Sequence, residues 1–246
     1  MGLLKIKEKY YKPNHTVLEI GPFFKPRFEG NNVKYFDILS QQELKKRVVE
    51  IGHEEKVANN VPYIHYVRSD GRLVDIKEKF DIVFSSHCVE HQLCIIRHFN
   101  DVSEIVKKGG YYFLTIPDKR YCFDHFIPHT SIADIIEAFN RDQQNRHSLR
   151  SVIADKTIAT HNSPEQHWSG NHGLPKYSED PNLILKTIKE YNLGHYIDVH
   201  AWQFTPDSFC EIYNILKENS FVDMDLIEVY ETRKNHNDFN IVLQKR

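Results

Sequence analysis

The residues that could do chemistry cluster directly after short apolar runs in the first ninety positions. In "TVLEIGPFFKP" the acidic Glu19 sits among Val17, Leu18 and Ile20, and the run breaks at Gly21 and Pro22. "VKYFD" ends on Asp37, sixteen positions past Gly21, while Ser69, Asp70 and Gly71 follow "IHYV", and Ser85, Ser86 and His87 follow "FDIVF". In an open sheet of parallel strands, ligands bind beyond the carboxyl ends at the switch in strand order, so groups at several strand ends converge on one ligand. A carboxylate closing the second strand is placed to accept both hydroxyls of a ribose, which predicts a nucleoside cofactor. Glu19 is a costly charge if buried without a partner, which predicts a ligand group beyond its strand. Asp70 before Gly71 also fits ordinary turn chemistry.

Two further constellations contain histidine. "HCVEH", from His87 to His91, satisfies the H-x-x-E-H pattern, in which two histidines four apart on a helix share zinc and Glu90 is the base. His87 follows directly on a strand rather than lying within a helix. No metal is therefore expected, and His91 reads as a histidine bonded to a neighbouring loop. "HNSPEQHWSGNHGLP" places His161, His167 and His172 within twelve residues, beside Trp168 and bounded by prolines. Polar loops on a rigid scaffold are where sites sit, so at least one of these histidines is expected to function.

The elements that must position these groups alternate. Strand-like runs cover Thr16–Ile20, Val33–Asp37, Ile64–Val67, Phe80–Ser85 and Tyr111–Ile116, and "HFNDVSEIVKKGG" has helical spacing, with Phe99, Val102, Ile105 and Val106 as its buried stripe and Gly109 as its stop. Such alternation predicts a mostly parallel α/β sheet covered on both faces. From Asp118 to Phe204 no core strand is legible, only a helix start at Ser131 with Asp134 in capping-box spacing. Regular patterning resumes at "TPDSFCEIYNILKEN", with Thr205 as cap, Pro206 at the first helical position, and Phe209, Ile212 and Leu216 on one face. The runs Met224–Tyr230 and Phe239–Leu243 predict an antiparallel hairpin at the end of the sheet. The expected organisation is thus a core of residues 1–117 and 204–246 and an insertion, 118–203, forming a lid over the acceptor.

Composition narrows the function classes. The 246 residues suffice for one elaborated domain, and 32 basic against 34 acidic residues leave no footprint for nucleic acid. No run predicts a membrane span or a signal peptide. Cys88, Cys94, Cys122 and Cys210 contain no C-x-x-C pair and are expected to be reduced thiols in a cytoplasmic protein. Oligomeric state is open, a homo-oligomer included. A dinucleotide would need the second and third glycines of G-x-G-x-x-G for its pyrophosphate, and "GPFFKP" lacks them.

Over residues 10–120 the ordered motifs "VLEIGP", "VKYFD", "RSDGRL", "FDIVFSSHCVEH" and "IVKKGGYYFLTIPD" resemble the class I S-adenosylmethionine-dependent methyltransferases. The later "IPDKRYCFDHF", "HWSGNHG" and "DVHAWQFTP" resemble a subgroup associated with bacterial surface-polysaccharide or sugar modification. The resemblance implies a Rossmann-like, mostly parallel seven-stranded sheet with an antiparallel C-terminal edge hairpin and a largely helical insertion after strand five. It implies S-adenosyl-L-methionine as cofactor, held by Glu19, Gly21, Pro22, Asp37, Ser69, Asp70, Gly71, Ser86 and His87, with Asp70 on the adenine side. The family's G-x-G-x-G is reduced here to one glycine and two prolines. A sulfonium methyl is already electrophilic, so the chain must align the acceptor and manage a proton. For a hydroxyl acceptor a general base is needed, expected from His167 or His172 with His87 in reserve, then Asp118 or Asp124. Tyr121, Phe123, His125, Trp168 and Tyr177 suit a small polar acceptor, a sugar or nucleotide-sugar. The alternative classes are a zinc-dependent hydrolase using His87, Glu90 and His91, and a binding-only protein without activity.

Overall fold

Apolar side chains divided between two faces decide the architecture. All four residues of Val17–Ile20 (β1) are buried, Val17 in one apolar cluster and Leu18 and Ile20 in the other. Phe80–Ser86 (β4) divides in the same way, with Ile82 and Phe84 opposite Phe80 and Val83. Strands that are dry on both faces read as continuous apolar runs and require cover on each side. The structure, a computed structural model, describes residues 2–141, 145–180 and 182–246.

The remaining strands are Val33–Asp37 (β2), Tyr66–Val67 (β3), Val106–Pro117 (β5), Asp225–Tyr230 (β6) and Asp238–Gln244 (β7). One seven-stranded sheet has the order β3-β2-β1-β4-β5-β7-β6. β1 to β5 pair in parallel, and β7 runs antiparallel between β5 and β6. This is the α/β, Rossmann-like arrangement expected from the sequence. The chain runs outward from β1 through β2 to β3 and then returns past β1 to β4, which puts the switch in direction between β1 and β4.

The helix expected to run to Gly109 ends earlier. It spans Ile95–Ile105, and Val106 already pairs with Phe80 in β5. The stripe Phe99, Val102, Ile105, Val106 suits a helix, but β-branched Val106 gains a ladder partner instead. Gly109 then lies in an irregular stretch of β5 at φ +79°. Beside it Gly110 admits no side chain, since a Cβ would come 2.7 Å from the Asp81 carbonyl oxygen. β3 is shorter than the expected run, beginning at Tyr66. The helix Ile132–Asn140 carries the expected capping box at Ser131, and Pro206–Glu218 has Thr205 as its expected cap, in a capping box with Ser208, and buries Phe209, Ile212, Tyr213 and Leu216. Helices Gly2–Tyr10 and Gln41–Glu50 had no counterpart in the sequence reading.

Between β5 and Phe204 the described residues form short helices, Leu149–Ile153, Pro164–Trp168 and Leu183–Asn192 among them. The segment leaves and rejoins the sheet at one point. Asp118 and Phe204 form an isolated parallel bridge, the Lys119 amide donates to the Phe204 carbonyl at 2.9 Å, and the Asp118 amide donates to Asn237 at 2.8 Å. That point is the carboxyl end of β5, so the segment is rooted on the edge where β1, β2 and β4 also end. No helix among the described residues is long and apolar enough to cross a membrane.

Candidate functional site

The turn after β1 is held by the carboxylate that precedes it. Glu19 is 2% exposed. Its Oε1 accepts the Arg27 amide at 2.8 Å, and its Oε2 accepts the amides of Arg27 and Phe28 at 2.9 Å each. Burial nevertheless pushes its pKa up to about 7, against the pull of those amides. The carboxylate thus has chain partners that fix the course of residues 21–28, where the glycine-rich loop of the resembled family is missing. Gly21 stands at φ +68°, a conformation glycine adopts without steric cost. No atom beyond its chain neighbours lies within 4 Å of the place a Cβ would take, so the backbone there is open to a ligand. Pro22 follows and accepts the Lys25 amide.

At the end of β2, Asp37 is 8% exposed. Its Oδ1 accepts the Leu39 amide at 3.1 Å, and burial raises its pKa to about 6. None of the ion pairs among the described residues includes it. Gly71, at φ +70°, lies close to Ile38 and Gln92, whose Cγ2 and Oε1 would be 3.8 and 3.9 Å from an added Cβ. The loops after β2, β3 and β4 therefore meet. Ser69 is exposed on this loop. Asp70 is spent on its neighbours: Oδ1 takes the Arg68 Nε at 2.7 Å and the Arg72 amide at 3.0 Å, and Oδ2 takes the Arg68 guanidinium at 2.9 Å. That is turn chemistry, the ordinary role that the sequence also allowed for Asp70.

Ser86 and His87 close β4. His87 has φ +51°, strained for a residue with a side chain and typical of functional turns. Its Nδ1 lies 3.7 Å from Glu90 Oε1 and its Nε2 3.8 Å from Asp238 Oδ2. Burial works against its charge, but Asp238 and Glu90 outweigh it and raise the pKa. The "HCVEH" pattern is no helix: Val89–His91 is a single 3-10 turn. His91 is bonded to a neighbouring loop as expected, its Nδ1 3.0 Å from Asp198 Oδ1, and its pKa is raised to about 9, with Asp198 and then Glu90 overcoming the effect of burial. The sequence reading missed the residue that completes this cluster, His200, which lies more than a hundred positions away in "DVHAWQ". Its Nε2 is 3.9 Å from Glu90 Oε1 and its Nδ1 2.6 Å from Asp124 Oδ2.

The insertion gathers its histidines, but not as expected. His167 is 2% exposed, with Nδ1 3.0 Å from His172 Nδ1 and Nε2 3.1 Å from the His161 carbonyl. Both ring nitrogens are engaged, and burial lowers the pKa to about 4. His172 stacks on His125 at 3.7 Å and keeps Nε2 outside any hydrogen bond among the described residues. Trp168 has one face covered by Tyr121, the rings parallel at 4.0 Å, and its Nε1 donates to the His236 carbonyl at 2.9 Å. Of the reserve bases, Asp118 is held by Arg120 and Thr232 and Asp124 by His200. A cavity of about 540 Å³ opens beside this region, with His129, Glu137, Arg141, Arg150 and Trp202 in its lining.

No family description matches the sequence, and no curated protein matches it. Among solved structures, the chain is similar to an S-adenosylmethionine-dependent methyltransferase from Clostridium acetobutylicum, at 11% identity over 99% of this chain and 89% of that one, with TM-score 0.48. It is also similar to the glycopeptide N-methyltransferase MtfA complexed with sinefungin, at 11% identity, 99% and 92% coverage and TM-score 0.44. The CcbJ methyltransferase of Streptomyces caelestis gives 11% identity, 94% and 88% coverage and TM-score 0.42. What defines the fold class is the strand order given above: a doubly wound, mostly parallel sheet whose switch in strand order lies between β1 and β4.

Proposed function

We propose that the chain is an S-adenosylmethionine-dependent methyltransferase acting on a hydroxyl of a small polar acceptor. The observation that carries this reading is Asp37, a buried carboxylate at the end of β2 that forms no ion pair among the described residues, beside the switch point of the sheet. The residues present fit the cofactor. Asp37 would accept the ribose hydroxyls, the open backbone at Gly21 and Pro22 would admit the amino-acid end, and Gly71 with Ile38 would flank the base. No glycine-lined cradle for a pyrophosphate exists at "GPFFKP", which favours a nucleoside without phosphates over a dinucleotide. When bound, the cofactor supplies an electrophilic methyl group.

The chain's own part is to orient the acceptor and to take its proton. His87 stands at the end of β4 on the rim of the same cleft, with Asp238 beside its Nε2, and is the residue we assign to receive the proton. The insertion, rooted at Asp118 and Phe204 on this edge, serves as the lid that excludes water. The cavity lined by Arg141, Arg150, Glu137 and Trp202 offers charged donors and an aromatic face, which suit a sugar or nucleotide-sugar, as in surface-polysaccharide biosynthesis. Calorimetric titration with S-adenosylhomocysteine tests the cofactor assignment directly. One site per chain is expected, with binding lost or weakened at least about tenfold in Asp37→Ala; no binding to the wild type would overturn it.

A further inference from the structure

Glu90 is the most anomalous side chain in the molecule. It is 1% exposed, and neither of its carboxylate oxygens has a hydrogen-bond partner among the described residues. A buried, unpaired carboxylate costs several kcal/mol, so a structure keeps one only when something positive completes it. Around Oε1 stand His91 Nε2 and His200 Nε2, each at 3.9 Å, too far for hydrogen bonds. The other nitrogen of each ring is taken by a carboxylate: His91 Nδ1 by Asp198 at 3.0 Å and His200 Nδ1 by Asp124 at 2.6 Å. Each Nδ1 is therefore held by a carboxylate, which leaves the Nε2 of each ring as the atom that faces Glu90 and that a metal ion would take in place of any proton there.

We propose that Glu90, His91 and His200 form a binding site for one divalent first-row transition-metal ion. Ligands bonded at about 2.0–2.1 Å to a tetrahedral ion lie roughly 3.4 Å apart, so the observed 3.9 Å gaps close by small side-chain shifts. Two imidazoles with one carboxylate is a ligand set that zinc and its neighbours accept while keeping a position open. The carboxylates behind the rings supply the outer support usual at metal histidines, fixing tautomer and orientation. The backbone is braced for this arrangement. The Glu90 carbonyl accepts the amide of Ala201 at 2.7 Å and that of Trp202 at 3.3 Å, and Trp202 Nε1 donates to the Gln92 carbonyl at 2.6 Å, which clamps the His200 segment onto the turn carrying Glu90 and His91. The absence of metal expected from the sequence rested on "HCVEH" not being a helix; the turn instead supplies Glu90 and His91 as ligands and takes its third from the far end of the insertion. His87, 3.7 Å from Glu90 Oε1, lies between this cluster and the cleft. If the methyltransferase reading holds, the open position would face the acceptor; the metal assignment itself does not depend on that reading.

The test uses the full chain, stripped with a chelator and titrated with Co²⁺ followed by visible absorption and with Zn²⁺ by calorimetry. One ion per chain is expected, with affinity lost in Glu90→Gln and His200→Ala, weakened roughly 10–100-fold in Asp124→Asn, and unchanged in His172→Ala. The last variant separates this site from the ring cluster of His125, His167 and His172, whose nitrogens also approach one another. Adding Zn²⁺ is expected to raise the melting temperature of the wild type and to leave that of Glu90→Gln unchanged. Absence of binding, binding that survives Glu90→Gln, or loss of binding in His172→Ala would overturn the proposal. S-adenosylhomocysteine titration of the same samples is read separately, and its failure would count against the proposed function alone.

Discussion

Replacing Asp37 by Asn should stabilise the free protein while weakening its hold on the cofactor. Burial raises the Asp37 pKa from 3.8 to about 6, a shift of about two units, or about 3 kcal/mol at 1.36 kcal/mol per unit. Because the folded pKa lies above the unfolded one, the native state binds the proton more tightly, and the ionised group destabilises the native state at neutral pH. Asparagine keeps the oxygen that accepts the Leu39 amide but carries no charge. A rise of several degrees in melting temperature is expected above about pH 6, with about 3 kcal/mol as the ceiling and roughly 2–4 °C per kcal/mol for a chain of this size. The gap should close as the pH falls toward 4, where wild-type Asp37 is itself protonated when folded. Binding moves the other way. Asn cannot accept from both ribose hydroxyls, so S-adenosylhomocysteine affinity should fall at least about tenfold, and wild-type affinity should itself drop about tenfold by pH 5. Thermal melts and calorimetry from pH 4 to 8 read both effects. A lower melting temperature for Asp37→Asn at neutral pH, or equal affinity in the two proteins, would refute the assignment.

Glu19→Ala should leave the amides of Arg27 and Phe28 without their acceptor, costing about 1–3 kcal/mol for each group in chemical denaturation, and should weaken S-adenosylhomocysteine through the loosened turn. His87→Ala should cut turnover by about 10²–10⁴ on an acceptor found by screening while cofactor affinity stays nearly unchanged; near-wild-type turnover would remove His87 from the mechanism. Trp168→Ala should destabilise the insertion by about 1–3 kcal/mol through loss of the Tyr121 stack and the bond to His236, read as earlier proteolysis within residues 118–203.

The sheet was legible because its strands are buried on both faces, so that each reads as an apolar run ended by a polar or glycine residue. The same property located Asp37, Gly71 and His87 at strand ends. Boundaries failed where two periods fit one stretch: the residues around Val106 satisfy both a helix stripe and a strand, and only the partner Phe80 decides between them. The chain partners of Glu19 were not legible, because a lone buried carboxylate predicts a partner without identifying it, and backbone amides eight and nine positions downstream leave no mark in residue types. His167 and His172 looked alike in the sequence. Three-dimensional packing separates them, burying one ring with both nitrogens engaged and leaving the other a free nitrogen.

His200 shows the limit most clearly, and also what would have extended it. Nothing in "DVHAWQ" marks its histidine, since ligand spacing is recognisable only when the ligands share one local element. Yet Glu90 within "HCVEH" posed the same question as Glu19: an acidic residue in a segment that the fold must bury. For Glu19 the answer lies in amides of its own loop. For Glu90 no amide arrives among the described residues, and two imidazoles from different elements turn their Nε2 atoms toward it. A carboxylate satisfied by backbone is a structural anchor, whereas one faced by imidazole nitrogens at ion-sized gaps is half of a binding site. On that distinction Glu19 shapes the turn after β1, and the turn after β4 carries two of the three groups proposed as metal ligands.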